Sequence, residues 1–235
     1  FFAFILASII TGLQDFNRSW KRRAEYRIKI DAVNEFMNDN GVSLQLRNEI
    51  RDYFLNIWLP RHTDFNETSL MNELPNYLRQ KVMTDITLGV IIGSRFFKKY
   101  FEPFRFQSQW SHIKLWLELT ADCVQPMYYI PYQSIVCQGD RGTEFFILKE
   151  GKVSVLINSE DGSQKMVATL GPGAYFGDLS LLGITEVRSA TIQTLSNVTL
   201  YMLTKEDFEK ILMRMPDGGE WLRKIMVGVA SNYKM

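Results

Sequence analysis

The chain has 235 residues, a formal net charge of +1 and 46% hydrophobic residues. That length can bury a core, and the near-neutral charge excludes a global field of the kind that draws a protein to nucleic acid. Cys123 and Cys137, with isolated His62 and His112, make neither a zinc cluster nor a disulfide framework; the two thiols are expected to be reduced and buried, as in a cytosolic protein.

The opening run Phe1 to Ile10 carries no charge but is too short to cross a bilayer, which needs about 20 residues. No basic region precedes it and no small-residue cleavage site follows it, so it does not read as a secretory signal. It reads as the end of a membrane helix whose start lies upstream, or as a buried soluble helix. Arg18, Lys21, Arg22 and Arg23 favour the first reading, because basic residues collect at the cytoplasmic end of a membrane span.

From Arg18 to about Leu119 the chain reads as helices. Tyr26, Ile30, Val33 and Met37 recur at spacings of three and four, an amphipathic pattern that Asn40-Gly41 ends. Ser43 caps a second helix, running through Tyr53, Phe54 and Trp58 to Pro60. A short helix from Thr68 to Leu74 follows, and Pro75 starts another. Gly89 and Gly93 punctuate the run Leu88 to Ile92, and two more helices span Ser94 to Tyr100 and Ser108 to Leu119.

Near Ala121 the period changes. Val124–Ile130, Glu144–Leu148, Lys152–Ile157, Gln164–Leu170, Ser189–Leu195 and Thr199–Leu203 read as short strands between glycine turns, which argues for a small antiparallel barrel or sandwich. Helix returns at Phe208, Ile211 and Leu212, breaks at Pro216-Asp-Gly-Gly219 and resumes from Trp221 to Val229. No GxSxG, HExxH or P-loop is present, and no nucleophile is paired with a base, so the chain does not read as an enzyme.

Two segments carry chemistry. Ile135 to Gly151 reads as strand, tight turn, apolar strand and second turn, with Gly139, Gly142 and Gly151 supplying positive φ; alone it is an ordinary hairpin. Phe176-Gly177-Asp178-Leu179-Ser180-Leu181-Leu182 can form one helical turn whose first amides are unpaired and attract an anion. Arg188, which follows soon after, can pair with a phosphate through its guanidinium fork, and the Ser189 hydroxyl can donate to it. Asp178 can accept from sugar hydroxyls, and small Ala190 leaves room beside the anion. The alternative is an internal Asp178–Arg188 salt bridge in an empty pocket.

Together these segments resemble the cyclic-nucleotide-binding family, over roughly Trp110 to Tyr233. The resemblance implies a phosphate-binding cassette from Phe176 to Ala190: Arg188 and Ser189 on the cyclic phosphate, Gly177 and Asp178 on the ribose 2′-hydroxyl, with Leu179 and Ser180 in the same turn. The family usually has glutamate where this chain has Asp178, one methylene shorter. Val155 and Ala168 are candidates for the base pocket, or plain barrel core. Val229 and Asn232 stand where cAMP-preferring channels often carry arginine, which leaves cAMP and cGMP both open as ligand.

The helical half, with Ala24 to Met37, Ile50 to Phe54, Trp58 and Leu74 to Arg79, resembles the C-linker of cyclic-nucleotide-gated and hyperpolarisation-activated channels. The resemblance implies an α+β chain in three parts. Residues 1–17 form the cytoplasmic end of a pore-lining membrane helix, 18–107 a helical C-linker, and 108–235 an antiparallel, jelly-roll-like β-roll with flanking helices. It also implies a cytoplasmic region of a ligand- and voltage-gated ion transport protein, a homo- or hetero-tetramer held through the C-linker. No cofactor, metal or nucleic-acid partner is expected. Tyr53, Phe54 and Trp58 serve either intersubunit or intrachain contacts. The rivals are a ligand-independent homology domain of an ether-à-go-go-type potassium channel and a soluble cyclic-nucleotide-dependent regulator.

Overall fold

The computed structural model describes residues 24, 26–55, 74–159 and 163–231. The chain divides into two compact units, Phe1–Leu74 and Pro75–Met235. The expected membrane helix at 1–17, Trp58 and the short helix from Thr68 lie outside the described residues. Among the described residues, no helix is long and apolar enough to cross a membrane.

The described part of the first unit is a helical hairpin. Helix α1 spans 26–39 and α2 spans Leu44–Tyr53. Asn40 and Gly41 close α1 as expected: Asn40 Nδ2 donates to Phe36 O at 2.8 Å, and Gly41 takes φ +62°. Ser43 Oγ accepts from Leu46 N at 3.4 Å and starts α2. Arg47 Nε donates to Val42 O at 2.6 Å and Arg51 Nε to Asn34 Oδ1 at 2.9 Å, which ties α2 back to α1 and the turn. Phe36, Leu44 and Tyr53 are exposed, and Phe54, half-buried, meets the Tyr53 ring edge-on.

The second unit opens with helix α3, Asn76–Gly93, which runs unbroken through Gly89 where the sequence suggested punctuation. A single glycine costs a helix about 1 kcal/mol, too little to break one packed against α5. Ser94 separates α3 from α4, Arg95–Tyr100: its hydroxyl donates to Ile91 O at 2.6 Å and accepts from Phe97 N at 3.1 Å. A short 3₁₀ turn, Glu102–Phe104, leads to α5, Trp110–Cys123.

Among the described residues, eight strands then form two antiparallel sheets. They are β1 Gln125–Tyr129, β2 Ser134–Val136, β3 Glu144–Glu150, β4 Val153–Asn158, β5 Gln164–Leu170, β6 Tyr175–Phe176, β7 Thr191–Thr194 and β8 Val198–Thr204. One sheet is ordered β1-β8-β3-β6 and the other β2-β7-β4-β5. Helix α6, Asp178–Leu181, is a single turn between β6 and β7. Helices α7, Lys205–Arg214, and α8, Glu220–Ser231, follow the roll, separated by the left-handed pair Asp217 and Gly218.

Strand alternation builds two cores. Phe146 and Leu148 of β3, with Val198 and Leu200 of β8, face Val153 and Ile192 of the second sheet. Phe145 and Ile147, with Tyr201 and Leu203, face the helices, where Phe96, Trp116, Phe208, Ile211 and Leu222 cover them. The run Phe145 to Leu148 is buried throughout because both faces of β3 are covered, so it lacks the apolar–polar alternation of a half-exposed strand. The two thiols differ from expectation: both are free, but Cys137 is exposed and Cys123 only half-buried. Cys137 lies just past the end of β2, where the chain turns outward.

Candidate functional site

A cleft of about 230 Å³ lies between the second sheet and the segment from β6 to β7. Val136, Val155, Leu170 and Ile192 give it an apolar wall. Its other wall is Phe176 to Ser180 together with Thr185 and Val187 to Ala190. One apolar side and one polar side suit a ligand with a flat apolar part and an anionic end.

Gly177 shapes the polar wall. It takes φ +86°, and a Cβ there would overlap Glu144 O and stand 2.7 Å from Arg188 Nη1. Glycine alone serves both the turn and the close approach. Leu181 N donates to Gly177 O at 3.0 Å, and the amides of 178–180 precede that first helical bond.

Arg188 is the centre of the site. It is 6% exposed, a burial that arginine tolerates only when its charge is met. Its backbone is pinned on both sides: Arg188 N donates to Asp140 O at 2.8 Å, and Gly139 N donates to Arg188 O at 2.9 Å. Nη2 pairs with Glu144 Oε2 at 2.8 Å, while Nη1 is buried with no acceptor. The guanidinium is thus paired with the chain at Nη2, while Nη1, buried beside Gly177, has no acceptor.

The internal salt bridge weighed from the sequence is corrected in its partner. Arg188 pairs with Glu144, and Asp178 instead accepts a hydrogen bond from the Tyr100 hydroxyl, at 3.0 Å, from 78 residues away. Lys99 stands close by, 4.8 Å above the Tyr100 ring centre and 5.7 Å from that of Tyr175. Burial holds the Lys99 ammonium below the ordinary lysine range, and the Asp178 carboxylate partly opposes that.

The role read for the glycines of the first motif also needs correction at one position. Gly139 and Gly151 have positive φ, at +89° and +90°, but Gly142 does not. A Cβ on Gly142 would overlap Arg188 Nε, so that glycine is a bed for the guanidinium and not a turn device.

The structure therefore gathers Phe176, Gly177, Asp178, Leu179, Ser180, Arg188, Ser189, Ala190 and Val155 around one cleft. Ala168 lies directly across from Val155 in the β4–β5 register, but it is exposed and outside the cleft lining. Glu144, Gly142 and Tyr100 are site residues whose roles sequence reasoning missed. The first two sit inside a quoted motif, so the crowding of a glycine and a carboxylate before a buried strand was a usable signal. Tyr100 had none.

Residues 127–215 match the family model described as "Cyclic nucleotide-binding domain". Over 228 residues the chain is 28% identical to the cyclic nucleotide-gated channel rod photoreceptor subunit alpha of Gallus gallus, covering 95% of this chain and 32% of that protein. It is 28% identical to cyclic nucleotide-gated channel alpha-2 of Oryctolagus cuniculus, covering 95% and 32%. It is 27% identical to cyclic nucleotide-gated channel alpha-3 of Homo sapiens, covering 95% and 30%. The chain thus spans about a third of the length of these relatives. Over residues 127–215 the chain is thus similar to the cyclic nucleotide-binding domain, and over 95% of its length to part of the cyclic nucleotide-gated channel alpha subunits.

Proposed function

We propose that this chain is the cytoplasmic gating region of a tetrameric cation channel, binding cAMP or cGMP in the β-roll and passing that event to a pore. In this reading residues 1–17 end the pore-lining helix, 18–107 are the linker that holds the tetramer, and 108–235 are the ligand sensor. The cyclic phosphate takes the free half of the Arg188 guanidinium, with the Ser189 hydroxyl and the first amides of α6. Asp178 and Gly177 take the ribose 2′-hydroxyl, and Val155 and its apolar neighbours take the base. Helix α8 closes over the base, and the ligand biases the pore by its difference in affinity between two states, about 1–3 kcal/mol of coupling.

The observation that carries this reading is the buried Arg188 with one unpaired nitrogen on a cleft whose far wall is apolar. Similarity to channel alpha subunits supports the wider part of it. One observation favours a second reading. Glu144 already meets half of the Arg188 charge, as in a ligand-independent homology domain that satisfies its own pocket.

A thermal melt separates the two. Under the proposal, a cyclic nucleotide at about 100 times its Kd stabilises the native state by about 2.7 kcal/mol and raises the midpoint by about 5–10 °C. The linear 5′-monophosphates produce a much smaller rise. No shift with either cAMP or cGMP at millimolar concentration supports the ligand-independent domain.

A further inference from the structure

We infer that Tyr100 is a positioning residue for ribose recognition, fixing the Asp178 carboxylate for the sugar 2′-hydroxyl; this rests on the cyclic-nucleotide reading of the cleft. Tyr100 belongs to α4, a helix that precedes the roll, and its side chain is fully buried. Aromatic packing sets its place. Phe96 of the same helix lies 4.6 Å from the Phe145 ring of β3 and 5.3 Å from Tyr175 of β6, with Tyr100 itself 6.5 Å from Tyr175. Arg95 N also donates to Gly173 O at 2.8 Å, which ties the start of α4 to the turn before β6. The phenol is therefore held by the same strands that carry the cassette, and its hydroxyl reaches Asp178 Oδ2 at 3.0 Å.

The chemistry of that contact is specific. A carboxylate accepts at two oxygens, and Tyr100 engages Oδ2, leaving Oδ1 to meet a donor from the cleft that Asp178 lines. An aspartate has a short arm and two torsions. A donor anchored in the core removes its rotameric freedom before the ligand arrives, so the ordering cost is met during folding and not on binding.

The test is calorimetric titration of the full chain, unchanged and as Tyr100→Phe, with cAMP, cGMP and the 2′-deoxy form of each. Phenylalanine keeps the ring and removes only the hydroxyl. Losing the pre-ordering of one side chain predicts about threefold to tenfold weaker binding of cAMP and cGMP. The 2′-deoxy ligands change less than twofold, which also reports that the variant is folded. In an Asp178→Ala background, removing the Tyr100 hydroxyl has no further effect on either ligand set. Equal losses for ribose and deoxyribose ligands, or no loss at all, overturn the role of Tyr100 while leaving the site reading intact. If the unchanged chain binds none of the four ligands, the site reading falls and takes this inference with it.

Discussion

Arg188 shows how much of the site a single residue organises. Its guanidinium is covered by Gly142 and Gly177, paired with Glu144 at Nη2 and without an acceptor at Nη1. Replacing Gly142 by alanine forces the guanidinium to move, because the new methyl overlaps Nε. Overpacking of this kind costs about 1–3 kcal/mol, so Gly142→Ala is expected to lower the melting midpoint and to weaken cyclic-nucleotide titration together. The cleft-lining residues from Phe176 to Ala190 were legible in the sequence because they sit in one contiguous run. Glu144 and Tyr100 were not, because pairing across 44 and 78 residues leaves no local pattern. The thiols were misjudged for a related reason: burial of a cysteine at an element's end depends on where that element stops, and Cys123 closes α5 while Cys137 follows β2. With Cys137 exposed and Cys123 half-buried, iodoacetamide at neutral pH is expected to alkylate Cys137 first. Burial, with Asp207 and Asp122, pushes the Cys123 thiol up and reduces its reactive thiolate, so its labelling gains ground as pH rises. Mass mapping of a time course checks this, and faster labelling of Cys123 contradicts it.

At the scale of elements, strand β3 joins the two cores. Its even residues face the second sheet and its odd residues face the helices, and it pairs with both β8 and β6. Leu148 is fully buried between the sheets. Leu148→Ala is expected to cost about 2–5 kcal/mol in urea unfolding, since a leucine cavity in a packed core relaxes only partly. Helix α7 offers a milder case. Its start is held by Thr204, whose hydroxyl accepts from Asp207 N at 3.1 Å. Thr204→Ala is expected to cost about 1 kcal/mol. The long, regular elements were readable because period and caps agree: Ser43, Asn40-Gly41 and the Pro216-Asp-Gly-Gly219 break all mark real boundaries. The two-residue β6 and the passage of α3 through Gly89 were not readable. Both are set by packing against neighbours and not by local preference.

For the whole molecule, the second unit combines the cleft with the helices α3 and α4 that lead into the roll. The cleft's polar wall touches α4 through Asp178 and Tyr100, so a change at the cassette has a direct physical route to an element outside the sheets. That route matters for gating only if the cleft takes a cyclic nucleotide through Arg188. Calorimetric titration of cAMP and cGMP into the unchanged chain and into Arg188→Ala measures this directly. Glu144, with a side chain 39% exposed, can rehydrate when its partner is removed, so the variant is expected to stay folded. Binding to the unchanged chain and a loss of about a hundredfold in the variant, the scale of one or two charge-assisted hydrogen bonds, is the predicted result. Equal affinities in the two chains contradict the account.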